Sequence, residues 1–273
     1  MIRKPTAVRL FLLSLLCCCA SLSSAQVVGN KQQIISQARH GYYDLTKEGL
    51  SEFECSIVPN WDALLADTRK TAPERADNAV KILSQIHFTA KFGRDGKVQL
   101  THNSVTPENA QQADAFSKVF TSMEQITSGI FDIWKLFMLS PPFPSVDSQY
   151  QLEARGPEYR LSYKEGDVDI VTTMSRDFVI TDRKETAPDF DRSIQPKLTK
   201  TPKGFLFTAY DDSYQTKNPE ETTLSKVLFD YQEVDGLQII QKVNLSGSRG
   251  GSPIAVELGF SDCKVTKKTP AKN

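Results

Sequence analysis

The second half of the chain constrains the fold most, because short strand-like segments alternate there with turn signals. From residue 148 onward these signals recur every eight to twelve residues, and helical periodicity disappears. Connections this short join antiparallel neighbours, since a parallel crossover needs a dozen or more residues. A sheet of about ten strands cannot stay flat, because every strand pair adds twist. The sequence therefore predicts a large antiparallel sheet that curls into a half-barrel.

The first half of the chain supplies the helices. Residues 30–47 carry apolar side chains at three- and four-residue steps, which predicts an N-terminal helix. LSEFECSIVP alternates as a strand, and residues 61–86 predict two helical pieces that are split at Pro73. HFTAKFGRDGKVQLTHN predicts a hairpin that turns at residues 94–96. The predicted fold class is therefore α+β, with N-terminal and interior helices packed on the concave side of the half-barrel.

The longest predicted helix covers residues 107–139, with Thr106 as its N-cap and Pro107 in its first turn. PPFP, at residues 141–144, ends it. Its apolar stripe has two interpretations: an ordinary core helix that fills the concave side, or a helix that lines or covers an apolar cavity. Methionine and aromatic side chains adapt well to acyl chains. The candidate lipid-cavity residues on this helix are Phe116, Phe120, Met123, Ile130, Trp134, Phe137 and Met138.

A late hairpin, FDYQEVDGLQIIQKVNLSG at residues 229–247, supplies the opposite wall of such a cavity. Asp235 and Gly236 form its turn, and its second strand is unusually apolar. Strict alternation places the odd-numbered residues 237–245 on the inward face and turns Ile240 to the other side. Three residues of the inward face complete the set of cavity candidates, namely Leu237, Ile239 and Val243.

The N-terminus predicts export. Three basic residues precede an apolar run that ends in Ser23-Ser24-Ala25, which describes a secretory signal peptide cut between Ala25 and Gln26. The predicted organisation is a signal peptide at 1–25, one domain at 26–267 and a disordered tail at 268–273. The expected location is periplasmic or secreted. In an alternative, one of the signal cysteines 17–19 is lipidated, which would make an outer-membrane lipoprotein; only then is membrane association expected.

The charge balance and the cysteines limit which partners and crosslinks are expected. Removal of residues 1–25 takes away three of the 33 basic residues and none of the 33 acidic ones, which leaves a net charge of −3. This balance argues against a nucleic-acid partner, which calls for a clustered basic surface. The two cysteines that remain, Cys55 and Cys263, are either a disulfide that makes the first and last strands neighbours or two buried thiols.

No catalytic group stands out in the sequence. His87 and His102 are expected opposite each other in the early hairpin, but a lone pair lacks the third and fourth ligands of a zinc site. GSRGGS, at 247–252, precedes no helix and is therefore expected to be a loop rather than a phosphate cradle. Asp211 and Asp212 are interpreted as solvated acids near a turn. We therefore expect a non-enzymatic protein with no cofactor and no metal.

The order of elements, together with the late hairpin, resembles the periplasmic lipoprotein-carrier superfamily. Members tend to show a tyrosine-containing strand, a turn with glycine, an apolar strand and then a basic residue. The matching positions here are Tyr231, Gly236, Leu237, Ile239, Ile240 and Lys242. Ile240 stands where a proline is frequent in that superfamily, and no arginine of this chain matches the one that latches the lid of the carrier.

The resemblance implies a half-barrel that binds a lipid or an acylated protein. The predicted function is an exported, non-enzymatic protein that holds a lipid or acyl chain between the curled sheet and the helix at 107–139. The alternative is an exported structural or interaction protein whose core is closed and filled by its own side chains, with no small-molecule ligand.

Overall fold

The computed structural model describes residues 31–93, 95–217 and 219–268. The predicted signal peptide, with its cleavage site at Ala25 and Gln26, and the predicted tail beyond residue 268 lie outside these residues.

Twelve strands form one antiparallel sheet. They are β1 Leu50–Pro59, β2 Phe88–Gly93, β3 Val98–His102, β4 Tyr150–Arg155, β5 Glu158–Glu165, β6 Val168–Ser175, β7 Ile180–Thr186, β8 Phe190–Thr201, β9 Gly204–Lys217, β10 Glu220–Val234, β11 Leu237–Arg249 and β12 Ser252–Lys267. The helical segments are α1 at 31–40, α2 Trp61–Leu64, α3 Ala66–Thr71, α4 Pro73–Leu83 and α5 Ala110–Met138.

The order of strands across the sheet is β3-β2-β1-β12-β11-β10-β9-β8-β7-β6-β5-β4. Strands β4 to β12 form a continuous meander, and β12 pairs with β1, so the first and last strands are neighbours inside the sheet. The edge strands β3 and β4 do not pair with each other, so the sheet is not closed. The predicted α+β class with a curled antiparallel sheet is confirmed. The strands number twelve rather than about ten, because β1 to β3 join the late strands through β12.

Helix α5 packs through aromatic side chains on one face of the sheet, called the concave face below. Trp134 contacts Phe53 of β1 and Phe92 of β2, with ring centroids 5.9 and 5.7 Å apart. Phe137 stacks on Phe207 of β9 at 4.4 Å. The C-terminal half of α5 thus fills the concave face with its own side chains, as an ordinary core helix does.

Helix α5 begins at Ala110 rather than at Pro107. The side chain of Asn109 accepts a hydrogen bond from the backbone N–H of Gln112 at 2.9 Å, which makes Asn109 the N-cap in place of Thr106. Asparagine caps a helix at least as well as threonine does, so a cap at Asn109 is physically reasonable although the sequence predicts Thr106.

Residues 41–49 cross one end of the half-barrel. The N–H of Tyr43 donates to the carbonyl of Phe205 at the start of β9, and the N–H of Leu45 donates to the carbonyl of Met138 at the end of α5. Lys203, in the turn between β8 and β9, donates to the carbonyl of Gly236 in the turn between β10 and β11. These contacts tie several turns together, so the end of the half-barrel that holds them is covered.

The connection between β1 and β2 carries three short helices rather than the two pieces predicted. Pro73 occupies the first turn of α4, as expected, whereas α2 and α3 divide at Leu65. Ala76 is the one buried residue among these three helices. Within residues 31–93, 95–217 and 219–268, no helix combines the length and apolar character that crossing a membrane requires.

A β-bulge in the late hairpin overturns the predicted strict alternation. Asp230 pairs with Lys242 and Tyr231 pairs with Ile240, so Gln241 has no partner in β10. The extra residue shifts the alternation by one, so Ile240 shares a face with Val243, while Leu237 and Ile239 fall on the opposite alternation. Ile239 and Ile240 are both fully buried, and Gln241 is exposed. The prediction that Ile240 points away from Val243 is therefore wrong: both lie on the concave face, beside Tyr231 and its neighbours.

Candidate ligand cavity

A cavity of about 440 Å³ lies between the middle of α5 and strands β8 to β12. Its wall includes Ile126, Gly129 and Ile130 on α5, and Arg192, Tyr210, Asp212, Tyr214, Glu221, Leu245, Arg249 and Ile254 on the sheet. Its volume falls within the range of about 300–1,000 Å³ that is typical of small-molecule sites.

The gap exists because α5 carries a small residue where it passes over β10 and β11. Gly129 is exposed, and an added Cβ at this position would meet no other heavy atom within 4 Å. One to two turns further along the helix, Trp134 and Phe137 are fully buried against the same concave face. Helix α5 is therefore a core helix in its C-terminal half and a cavity wall near its middle.

The inner end of the cavity is apolar. Ile130 and Tyr210 are each 2% exposed, while Ile126, Leu245 and Ile254 are half-buried. Burial raises the pKa of Tyr210 far above its usual range, and the Asp212 carboxylate adds to the effect, so the hydroxyl remains protonated. Among the described residues this hydroxyl has no hydrogen-bond partner, and it therefore offers one donor to the cavity.

An ion pair crosses the middle of the cavity wall. The Nε and Nη2 atoms of Arg192 donate to Oδ1 and Oδ2 of Asp212 at 2.9 and 3.0 Å. Both side chains are largely buried, at 20% and 6% exposure. Burial alone would lower the pKa of Arg192, but the hydrogen bonds and the negative charge of Asp212 outweigh it and raise the pKa, so the guanidinium stays charged.

A second charged pair lies beside the first. Glu185 of β7 pairs in register with Arg192 of β8, and its Oε1 accepts from Nε of Arg183 at 2.7 Å. Arg183 is 2% exposed and also donates to the hydroxyl of Tyr163 at 2.7 Å. The buried row of two arginines, Glu185 and Asp212 is therefore balanced in charge.

The rim of the cavity is polar and more exposed. Arg249 on β11 donates from Nε and Nη2 to the two carboxylate oxygens of Glu221 on β10, at 2.8 and 3.3 Å. The hydrogen bond from Arg249 lowers the pKa of Glu221. Both residues lie close to the turns at the uncovered end of the half-barrel, opposite residues 41–49. Polarity thus increases from the inner end of the cavity to its rim.

Of the ten predicted cavity residues, Ile130 lines this cavity. Trp134, Phe137 and Met138 are fully buried in the core, as are the strand candidates Leu237, Ile239 and Val243. Phe116 and Met123 are buried along the same helix, and Phe120 stacks on His102 with ring centroids 3.6 Å apart.

The charged residues of the wall were not predicted as a site. Arg192 had no assigned role, and Asp212 was interpreted as a solvated acid near a turn, whereas it lies inside β9 and is 8% exposed. The signal that could have found the pair is alternation: Tyr210, Asp212 and Tyr214 share one face of β9, and Arg192 lies on the matching face of β8.

The structure also decides the histidine and cysteine predictions. The hairpin pairs Phe88 with His102, so His87 and His102 belong to opposite alternations and do not face each other. Within the part of the chain described, no three histidine, cysteine, aspartate or glutamate residues form a group suited to a metal ion. Cys55 and Cys263 form a disulfide with an S–S distance of 2.07 Å, which confirms that the first and last strands are neighbours.

Comparison of the chain with models of protein families, with curated proteins and with solved structures finds no match. Its function is therefore argued from the cavity itself. The cavity combines an apolar inner end, hydrogen-bond donors in its middle and a polar rim.

Proposed function

We propose that this is an exported, non-enzymatic protein that binds a lipid or acyl chain in the cavity between α5 and the half-barrel. The observation that carries the proposal is the polarity of the cavity wall, which runs from Ile130 and Leu245 at the apolar inner end, past the donors of Tyr210 and Arg192, to Arg249 and Glu221 at the rim. An amphiphile has the same division, with an apolar chain and a polar head.

The energetics favour an acyl chain as the occupant of the inner end. Each methylene removed from water contributes about 0.8 kcal/mol, so a chain that buries about eight methylenes gains about 6 kcal/mol. That gain opposes the cost of association, which is of similar size. Polar contacts near the rim then decide which amphiphile binds.

The predicted signal peptide and the resemblance to the periplasmic lipoprotein carriers support the same proposal. Both lead us to propose a periplasmic or secreted location, with a lipid or an acylated protein as the partner. Membrane association belongs to the proposal only if a signal cysteine is lipidated.

The test is to fill the cavity from Gly129. Because an added Cβ at this position would meet no heavy atom within 4 Å, Gly129→Phe should place its ring in the cavity without a clash at the backbone. Gly129→Ala is the matched control, since it keeps most of the volume and stabilises the helix by about 1 kcal/mol. We expect calorimetric titration of delipidated protein with 1-monolauroylglycerol to show binding by the wild type and by Gly129→Ala, with at least a tenfold loss in Gly129→Phe.

Native mass spectrometry of the protein purified from its host provides an independent measurement. A co-purifying lipid that is lost in Gly129→Phe would support the proposal. Absence of any such lipid, combined with no binding of amphiphiles by the wild type, would refute it.

One observation favours the alternative of a structural or interaction protein. The aromatic cluster around Trp134 fills the concave face over β1, β2 and β9 without a gap. If the protein has only a structural or interaction role, Gly129→Phe should change its stability, and neither the wild type nor the variant should bind an amphiphile. The titration described above separates the two functions.

A further inference from the structure

We infer that the cavity selects an amphiphile with an uncharged head, specifically an acyl ester whose carbonyl oxygen accepts hydrogen bonds from Arg192 and Tyr210. The inference rests on the proposed function and adds the chemical class of the ligand to it. A free fatty acid, which carries a carboxylate, is the class that the cavity disfavours.

The first argument is the charge balance of the cavity wall. Four charged side chains line the cavity, and they form two pairs: Arg192 with Asp212, and Arg249 with Glu221. Both pairs are bidentate: the two oxygens of each carboxylate accept hydrogen bonds from one guanidinium. Within the described wall no positive charge is left in excess to neutralise an anionic head.

The second argument concerns the groups behind the wall. Glu185 is adjacent to Arg192 across the strands, and it carries its own partner in Arg183. Glu185 and Arg183 together add one negative and one positive charge. The net charge around Arg192 therefore stays zero when the residues behind the wall are included. A carboxylate placed at Arg192 would be a third anion near Asp212 and Glu185, and its lost hydration would not be compensated.

Two hydrogen-bond donors of the cavity-lining residues have no partner among the described residues. Arg192 uses Nε and Nη2 on Asp212, and its Nη1 has no hydrogen-bond partner among the described residues. The hydroxyl of Tyr210 lines the same cavity and likewise has no partner there. Two donors with no net charge suit one neutral acceptor, and the carbonyl oxygen of an ester takes two hydrogen bonds through its two lone pairs.

The experiment compares two ligands that differ in the head alone. Calorimetry on the delipidated protein uses 1-monolauroylglycerol and laurate, both below their critical micelle concentrations and at a pH where laurate is ionised. We expect the wild type to bind the ester at least about tenfold more tightly than laurate.

A variant then shifts the charge balance. In Asp212→Asn the Arg192 guanidinium keeps an amide oxygen as a partner but loses its counter-charge, so laurate should bind about tenfold more tightly while the ester changes less than about threefold. Asp211→Asn is the matched control. Asp211 lies on the opposite face of β9, where it pairs with Lys197 at 2.9 Å, and its substitution should alter neither affinity.

Each outcome has a defined meaning. If laurate binds the wild type as tightly as the ester or more tightly, the inference about the head is wrong and the proposed function stands. If neither ligand binds, both are wrong. If circular dichroism shows that Asp212→Asn is unfolded, Glu221→Gln at the exposed rim replaces it, because it leaves Arg249 without a counter-charge; an unchanged affinity for laurate in that variant would also overturn the inference.

Discussion

Replacement of Cys55 and Cys263 by alanine should remove a large part of the stability of this protein. The disulfide joins residues 208 positions apart, and it therefore closes almost the whole described chain into one loop. In the chain-entropy treatment, a crosslink over a loop of that length restricts the unfolded chain by about 18 cal/mol/K, which is about 5 kcal/mol at 25 °C. Since domains have a total stability of about 5–15 kcal/mol, the expected loss is severe.

Urea unfolding measures this loss. The fluorescence of Trp134, which is buried beside β1, and the far-ultraviolet circular dichroism should both report the transition. We expect the unfolding midpoint of the Cys55→Ala/Cys263→Ala variant to fall well below that of the oxidised wild type. The reduced wild type is the control: it keeps both side chains but lacks the crosslink, so it should unfold close to the variant.

Two outcomes of the unfolding measurements would contradict this expectation. If both the variant and the reduced wild type lose less than about 2 kcal/mol, the unfolded chain is not the state that the disulfide restricts. If the variant alone loses stability, packing around Cys55, which is 1% exposed, is the cause instead.

Two further substitutions test the packing of the sheet. Gly247→Ala should lower the free energy of unfolding by about 2 kcal/mol or more, because its Cβ would collide with the backbone carbonyl of Leu224. Gly259→Ala is the control, with ordinary contacts at that position, and equal losses in the two variants would contradict the argument. Tyr231→Phe should cost about 1–3 kcal/mol, since the hydroxyl accepts from the indole N–H of Trp134 at 3.1 Å and donates to a backbone carbonyl of β9. A loss below about 0.5 kcal/mol in urea unfolding would mean that water replaces the missing hydroxyl.

Much of the sheet could be predicted because its information is local. Turns such as KEGD and VDGL separate short apolar segments, so both the existence and the order of the strands follow from short segments of sequence. The pairing of β12 with β1 is not local, and the sequence indicated it through Cys55 and Cys263 alone. A crosslink prediction thus carried the longest-range feature of the fold.

Two sequence predictions were wrong for identifiable structural reasons. The bulge at Gln241 follows from how β10 and β11 coil around each other, and two consecutive isoleucines do not reveal which of them faces the helix. The predicted cap at Thr106 lies one turn before the observed cap at Asn109, and both residue types are good caps, so residue type alone does not fix the start of α5.

The sequence predicts a cavity between the late sheet and the helix at 107–139, and of the ten predicted residues Ile130 lines the cavity described above. The large apolar residues of α5 were the natural candidates, yet a large side chain fills space, and the gap opens where the helix carries Gly129. The pair Arg192–Asp212 joins two strands across 20 residues, and separate charges in a sequence give no sign of such a contact. Burial of a balanced ion pair is visible only after the register of β8 and β9 is known.

The route of the chain between the two edges of the sheet has a mechanical consequence. β3 and β4 are the free edges, and one continuous segment, residues 103–149, connects them and contains α5. The seam of the half-barrel is thus bridged by covalent chain instead of by hydrogen bonds. The carbonyl of Met138 at the end of α5 also accepts a hydrogen bond from the N–H of Leu45, which adds a second connection between α5 and the rest of the fold. The length of segment 103–149 therefore limits how far β3 and β4 can separate.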